Sequence, residues 1–134
     1  AHLYNYVGQP WRTQELVDEV LHTLYFNDPD GLSGNEDCGQ MSAWFILNSM
    51  GFYQVCPGKP VYSIGRPLFN KATIHLKDGK TFTIVAPGNS RENKYVQKML
   101  LNGRELATPF FKHQDIADGG TLELTMGDQP LIEK

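Results

Sequence analysis

The sequence predicts an α+β fold in which helices come first and strands follow. Apolar residues recur at helical spacing only before about residue 54. Beyond it, prolines and glycines separate short segments in which apolar and polar residues alternate. We therefore expect helices over residues 1–54 and a small antiparallel β-sandwich over residues 55–134.

Two segments have the periodicity of helices. Residues 10–25 start with a proline suited to a first helical turn, and their leucines and valines recur every three to four positions. Residues 41–50 are apolar on almost every side, which is typical of a buried helix, and Gly51 ends them. Because the chain offers only one other helix as cover, both should belong to a larger helical array whose remaining members lie upstream of Ala1. The chain alone should then expose apolar surface around residues 41–50 or cover it by association.

The second part of the chain alternates in short runs. Asp78-Gly79 has the chemistry of a hairpin turn, and Asn102-Gly103 predicts another turn. Residues 113–116 suit a loop or one helical turn. Strands are expected at residues 61–64, 71–76, 81–85, 95–101 and 121–126.

Charge and composition argue against several classes of protein. A net charge of −3 gives no basic surface for nucleic acid. No apolar run approaches the roughly 18 residues of a membrane-spanning helix, and the first residues lack a signal-peptide pattern. The two cysteines, Cys38 and Cys56, are too few for a disulfide scaffold or zinc site, so we expect reduced thiols with packing roles. The four histidines lack metal-ligand spacing and are expected at surface or capping positions.

A polar, acidic loop precedes the second helix. If that helix starts near Cys38, then Asn35, Glu36 and Asp37 lie at its N-terminal end, where negative charge is favoured. A carboxylate there suits a general base, a metal ligand or an ordinary helix cap. The chemistry of these residues alone leaves the three roles open.

Three stretches of the sequence resemble one family. The run G-N-E-D-C-G-Q-M-S-A-W at residues 34–44 is similar to the signature of glycoside hydrolase family 92, the calcium-dependent exo-acting α-mannosidases. Residues 4–14 resemble that family's Y-N-x-x-G-Q-P-x-x-T-Q segment. Residues 51–58 and 67–69 resemble its G-F-Y-P-V-x-P-G and S-P-L-F stretches. The match runs in register over nearly the whole chain.

The resemblance implies a fold and an activity. Family members carry their active site on an (α/α)6 barrel flanked by β-sandwich elements, so residues 1–54 would supply the last helices and the signature loop of the barrel. This chain would be the C-terminal part of a protein several times longer, secreted or periplasmic, whose signal peptide is lost upstream. That protein would remove terminal mannose from glycans, including N-glycans, with inversion and with the α-1,2 linkage expected.

The resemblance also assigns roles to individual residues. The family's base aspartate lies in a G-[ND]-[ED]-D motif, which makes Asp37 the candidate general base and Glu36 the second choice. Asn35 would orient the water, the sugar or the ion, and Gln40 would support the loop. Trp11 flanks a loop and is a candidate to line a sugar site, or else to pack. The general acid is a glutamate upstream with no counterpart here, so the chain alone should be inactive.

Calcium is the cofactor that the resemblance implies, bound near the sugar. It takes 6–8 oxygen ligands, and Asp28 and Asp30 add carboxylates to those of the signature loop. An EF-hand does not fit, because from Asp28 its fifth and sixth positions are Leu32 and Ser33 instead of a ligand and glycine. The sequence therefore leaves the calcium ligands unassigned.

A second hypothesis comes from another class of protein. Residues 55–134 could form a stand-alone carbohydrate-binding or structural β-module with the helices as an accessory. Such a module needs neither a helix that is apolar on every side nor an acidic loop at its start. The surroundings of residues 41–50 therefore discriminate between the two hypotheses.

Overall fold

The structure is a computed structural model that describes residues 1–132. Over these residues helices precede strands, and the α+β class is confirmed. A short 3-10 helix, His2–Val7, is followed by α1 (Pro10–Thr23) and α2 (Gln40–Met50). The strands are β1 (Phe52–Tyr53), β2 (Val61–Ile64), β3 (Lys71–His75), β4 (Thr81–Val85), β5 (Tyr95–Leu101), β6 (Arg104–Glu105), β7 (Phe110–Lys112) and β8 (Gly120–Gly127).

Both helices form close to where the periodicity predicts them. Helix α1 begins at Pro10, whose fixed φ suits a first turn, and buries Val17 and Leu21. Helix α2 ends where Gly51 adopts a φ of 103°. A Cβ at that glycine would lie 3.1 Å from Cβ of Pro67 and 3.3 Å from Cδ1 of Leu124. The end of α2 is therefore packed directly onto the β part.

Helix α2 is not buried in the way its composition predicts. The residues it buries are the polar Asn48 and Ser49, whereas Ile46 is 57% exposed. The apolar surface continues into the loop after α1, where Phe26 is 63% exposed. The expectation that the chain alone exposes apolar surface around this helix is confirmed, and the burial of the helix within a larger helical array stays a prediction.

The strands form two sheets, with the orders β1-β2-β7 and β3-β4-β8-β5-β6. Both the hairpin of β3 with β4 and the antiparallel pairing of β5 with β8 agree with the predicted strands. The expectation of purely antiparallel sheets is wrong at one place, because β4 pairs with β8 in parallel, with Phe82 opposite Gly120. The long excursion through β5, β6 and β7 supplies the crossover that a parallel pair needs.

The turns have the backbone that their sequences predict. Asp78 and Gly79 have φ values of 59° and 71°, and Asn102 and Gly103 have values of 51° and 78°. Asn102 also accepts a hydrogen bond from the Thr121 amide at 2.9 Å through its Oδ1. The strands that the sequence did not predict, β1, β6 and β7, have two or three residues each, too few for an alternating pattern.

An apolar core joins the two sheets and fixes α2. Half-buried Leu47 and Met50 of α2 pack against this core. Burying one large apolar side chain stabilises the fold by about 1.5–3 kcal/mol, so the cluster is a strong anchor. Its buried members include Phe52, Ile64, Phe82, Ile84, Phe111, Leu122 and Leu124.

Two further points concern the organisation of the chain. Within residues 1–132 no helix is long and apolar enough to cross a membrane, the longest having 14 residues. The division at residue 54 into a barrel part and a sandwich part stays a prediction. Strand β1 lies before this division and pairs with β2 beyond it.

Candidate active site

The signature loop, residues 24–39, joins α1 to α2 and is closed at its base. Tyr25 and Leu32 form an isolated antiparallel bridge, and the Phe26 amide donates to the Gly31 carbonyl at 2.9 Å. A Cβ at Gly31 would collide with the carbonyl oxygen of Phe26 and lie 2.8 Å from that of Asp28. The loop therefore requires glycine at this position.

Three consecutive residues before α2 have a left-handed backbone. Asp37, Cys38 and Gly39 have φ values of 53°, 59° and 91°. For residues other than glycine this conformation costs roughly 1–2 kcal/mol each, and such strain is concentrated at functional sites. Because the turn occupies these positions, α2 begins at Gln40 instead of near Cys38.

Glu36 caps α2. Its Oε1 accepts a hydrogen bond from the Ser42 amide at 3.0 Å, and its Oε2 accepts one from the Ser42 hydroxyl at 2.9 Å. The Glu36 carbonyl also accepts from the Met41 amide at 3.2 Å. A carboxylate in this place satisfies unpaired N–H groups and stabilises the helix by about 1 kcal/mol. The capping role that the sequence left open thus belongs to Glu36.

Asp37 has different surroundings, although it is the next residue. Its side chain is exposed, and so are those of Asn35 and Gln40. The backbone N–H of Gln40 donates to the backbone carbonyl of Asp37 at 3.3 Å, and this bond closes the turn. The structure thus brings Asn35, Glu36, Asp37 and Gln40 together around one turn.

Aromatic side chains connect the loop that contains this turn to α2. The ring of Tyr25 stacks on that of Trp44 with centroids 5.8 Å apart, and its hydroxyl donates to the Met41 carbonyl at 3.0 Å. Burial, and then the negative charge of Glu36, raise the pKa of Tyr25. An apolar groove of about 390 Å³ lies beside these rings, lined in part by Phe45 and Ile46. The end of α1 is in this way held against the start of α2.

Trp11 lies apart from the signature loop. It is in the first turn of α1, and a 14-residue helix is about 21 Å long, whereas the loop leaves the other end of α1. Trp11 instead lines a separate pocket with Asn5 and Phe110. The structure therefore does not bring it together with the other predicted site residues.

The cysteines do not have the packing roles predicted for them. Cys38 and Cys56 are both free thiols, and both are exposed. Each lies in a loop, where the polar and glycine-rich surroundings leave it in solvent.

The acidic residues do not converge on a cation site. Among residues 1–132 no three side chains of His, Cys, Asp or Glu are placed to hold one metal ion. Asp28 accepts from the Asp30 amide at 3.0 Å, and the Glu36 carboxylate is engaged by Ser42. These residues by themselves do not fit Ca²⁺, which takes 6–8 oxygen ligands.

A buried polar network joins α2 to β2 and to the N-terminal 3-10 helix, and no sequence pattern predicts it. His2 is only 4% exposed, so the surface or capping role expected for it is wrong. Its Nε2 lies 2.7 Å from Oδ1 of Asn48, an atom that can only accept, so Nε2 carries the proton. Its Nδ1 accepts from the Ser63 hydroxyl at 3.0 Å. Burial lowers the pKa of His2 to about 4, although the hydrogen bond to Asn48 opposes this shift.

Asn5 completes the network. Its Nδ2 donates to Oγ of Ser63 and to the Ile64 carbonyl, both at 2.7 Å. Ser63 is 1% exposed, so no substrate reaches the serine–histidine pair. The network joins the N-terminal 3-10 helix, β2 and α2, and its role is structural.

A buried ion pair makes a second link between α1 and the β part. Arg66 is 3% exposed, and its Nε lies 3.2 Å from Oδ1 of Asp18. Its Nη2 donates to the Ser90 carbonyl at 2.9 Å, and Lys94 lies 3.9 Å from Oδ2 of Asp18. Burial lowers the pKa of Arg66, and the charge of Asp18 opposes this.

A family model and a fungal relative both match nearly the whole chain. The model of the glycosyl hydrolase family 92 catalytic domain matches residues 1–128. A protein of Arthroderma benhamiae named "uncharacterized secreted glycosidase" is 34% identical over 130 residues, which are 95% of this chain and 17% of that protein.

Solved structures from Bacteroides thetaiotaomicron are similar over almost the whole chain. A family GH92 α-mannosidase has a TM-score of 0.90 and 39% identity, over 96% of this chain and 17% of that one. In its complex with mannoimidazole the TM-score is 0.91. A family GH92 inverting mannosidase has a TM-score of 0.88 and 46% identity, over 96% of this chain and 18% of that one. The chain spans less than a fifth of each relative, and it belongs to glycosyl hydrolase family 92.

Proposed function

We propose that this chain is part of an inverting exo-α-mannosidase in which Asp37 is the general base. Membership of a glycosyl hydrolase family supports the hydrolase activity. The names of the similar solved structures support mannose as the sugar, and one of them supports inversion. The α-1,2 linkage is part of the same proposal and is carried by the sequence resemblance.

The difference between two adjacent carboxylates carries the assignment. The Glu36 carboxylate accepts two hydrogen bonds from Ser42, so it is committed to the end of α2. Asp37 is exposed and lies on a strained left-handed turn. This difference supports Asp37 over Glu36 as the base.

Hydrolysis with inversion requires one base and one acid. The base removes a proton from a water that attacks the anomeric carbon, while an acid on the opposite face protonates the departing oxygen. The two carboxyl groups stand roughly 6.5–9.5 Å apart to leave room for that water. We assign the base to Asp37 and the acid to a part of the protein outside this chain. Asn35 and Gln40 offer amide groups on the same turn to orient the water or the sugar.

The rest of the protein would complete the site. The exposed apolar surface around Ile46 and Phe26 favours a position for α2 in an (α/α)6 barrel, where further helices from the missing upstream part would cover it. This surface argues against the stand-alone β-module, because such a module would leave the apolar residues exposed to solvent. The chain alone is accordingly proposed to be inactive.

Calcium and secretion complete the proposal. The resemblance implies a Ca²⁺ requirement, and its ligands would have to come largely from outside this chain. The name of the Arthroderma benhamiae relative supports secretion.

The test is turnover of an α-mannoside by the full-length protein carrying Asp37→Asn, at saturating calcium. The substitution keeps the shape of the side chain and removes its basicity, so kcat should fall by about 10²-fold or more. Glu36→Gln is the matched control at the neighbouring position. It keeps one acceptor for Ser42, and its kcat should stay within about tenfold of the unmodified enzyme. Near-normal turnover by Asp37→Asn, or an equal loss in Glu36→Gln, would refute the assignment.

A further inference from the structure

Helix α2 is held to the β part through its C-terminal half. Its buried residues are Asn48 and Ser49, and the Ser49 carbonyl accepts from the Leu68 amide at 2.9 Å. Residues 40–43, in contrast, are exposed or half-buried. The signature turn therefore lies at the less covered end of a helix that is anchored at its other end.

The buried network that holds Asn48 has a fixed order of donors and acceptors. The Trp44 carbonyl can only accept, so Nδ2 of Asn48 donates to it at 2.9 Å and Oδ1 of Asn48 faces His2. Asn5 donates to Oγ of Ser63, so the Ser63 hydroxyl has its own hydrogen left for Nδ1 of His2. Only a neutral imidazole with its proton on Nε2 satisfies both neighbours.

Trp44 connects this network to the signature turn. Its carbonyl accepts from Asn48, and its indole stacks on the ring of Tyr25 with the ring planes 3° apart. The Met41 carbonyl accepts from the Tyr25 hydroxyl, and the Met41 amide donates to the Glu36 carbonyl. An unbroken set of contacts thus leads from the buried network to the residue before the proposed base.

A small rotation of α2 would move the turn by a distance that matters for catalysis. Asn48 and Gln40 are eight positions apart on the helix, which is about 12 Å at a rise of 1.5 Å per residue. A tilt of about 5° at Asn48 would therefore move Gln40 by about 1 Å. Misplacement of a catalytic group by about 1 Å can lower a rate by about 10²-fold.

We propose that His2 is a positioning residue for Asp37, which it holds in place through Asn48 and α2. This role rests on the proposed function, because it requires that Asp37 act as the base. His2 is only 4% exposed, so it acts through its neighbours and not on a substrate. The imidazole also fills its site closely, since a Cβ at Gly65 would lie 3.2 Å from its Cε1 atom. A side chain that cannot reach Asn48 would leave α2 less precisely fixed.

Two variants of His2 that differ by one methylene group test this role in the full-length protein. The side chain in His2→Asn matches histidine as far as Nδ1 and stops short of Asn48, so kcat for an α-mannoside should fall by about tenfold or more. The side chain in His2→Gln reaches the position of Nε2 and keeps an N–H for Asn48. Its kcat should stay within about threefold of the unmodified protein.

A second comparison separates positioning of the base from a general loss of stability. In the Asp37→Asn background, His2→Asn should change kcat by less than about twofold, because the base whose position it controls is already gone. Ile74→Ala is the control, since Ile74 packs against the apolar core from β3, at the edge of the five-stranded sheet. It should lower the free energy of unfolding and leave the kcat of the folded protein unchanged.

The proposal is overturned by an unchanged kcat in His2→Asn, by an equal loss in Ile74→Ala, or by a His2→Asn effect of the same size with and without Asp37. In each of these cases Asp37→Asn itself stays impaired. Near-normal turnover by Asp37→Asn would refute the base, and the positioning role with it, so the two failures are distinguishable. If His2→Asn does not fold, His2→Leu also lacks an N–H for Asn48 and should give the same loss of kcat.

Discussion

Acidification should destabilise this chain through one histidine. His2 has a pKa of about 4 in the folded chain, against 6.5 in the unfolded chain. Between these values the unfolded state binds one more proton than the folded state, so stability falls as the pH is lowered. The contribution is fully present above pH 6.5 and is lost by about pH 4.

The size of the effect follows from the shift. One proton changes the free energy of unfolding by about 1.4 kcal/mol per pH unit, so lowering the pH from 7.5 to 5 should remove about 2 kcal/mol. A shift of about 2.5 units corresponds to roughly 3 kcal/mol over the whole window. Because His2 is almost fully buried, little of this is lost to screening by solvent.

Urea unfolding of the 134-residue chain at a series of pH values measures this slope. His2→Gln lowers stability at every pH but removes the titrating group, so its stability should vary less with pH between 6.5 and 5. His75→Gln is the matched control, because His75 is exposed on β3 and lies outside the buried network. Equal slopes in His2→Gln and the unmodified chain would refute the reasoning. So would an imidazole signal of His2 that titrates near pH 6.5 in the folded chain.

Two further substitutions test the packing of the helices. Asp18→Asn leaves the Arg66 guanidinium buried without its counter-charge and should lower the free energy of unfolding by about 3–5 kcal/mol, while adding Arg66→Met should restore part of it; a double variant no more stable than the single would contradict this role for the pair. Ile46→Lys should reduce self-association of the 134-residue chain in sedimentation experiments and change its stability by less than about 0.5 kcal/mol, because the side chain is exposed. In the full-length protein the same lysine should be destabilising, and an unaffected full-length protein would mean that nothing covers this surface.

The sequence predicts most of the elements because their signals are local. The 3.6-residue period fixes α1 and α2, and the Asp78-Gly79 and Asn102-Gly103 pairs fix their turns. The direction in which β4 and β8 pair is not local. It depends on the path of the chain between them, which no alternating pattern records.

The same limit applies to the individual residues of the site. Glu36 and Asp37 are adjacent carboxylates, and the sequence gives both the same possible roles. What separates them is the position of Ser42, which engages one and leaves the other, and a left-handed turn that residues other than glycine rarely adopt. His2 has no pattern at all, since a single histidine is placed inside or outside only by its partners.

The position of β8 in the middle of its sheet has a consequence for the order of assembly. β8 lies between β4 and β5, and its Leu124 packs where α2 ends at Gly51. During synthesis, α2 and the signature loop leave the ribosome some 70 residues before the strand that seats them, since α2 ends at Met50 and β8 begins at Gly120. Until β8 inserts, β4 and β5 have unpaired edges, and the end of α2 lacks the strand on which it packs. Such a state is prone to aggregation. Packing of the end of α2, and of the signature loop before it, is thus coupled to the insertion of β8.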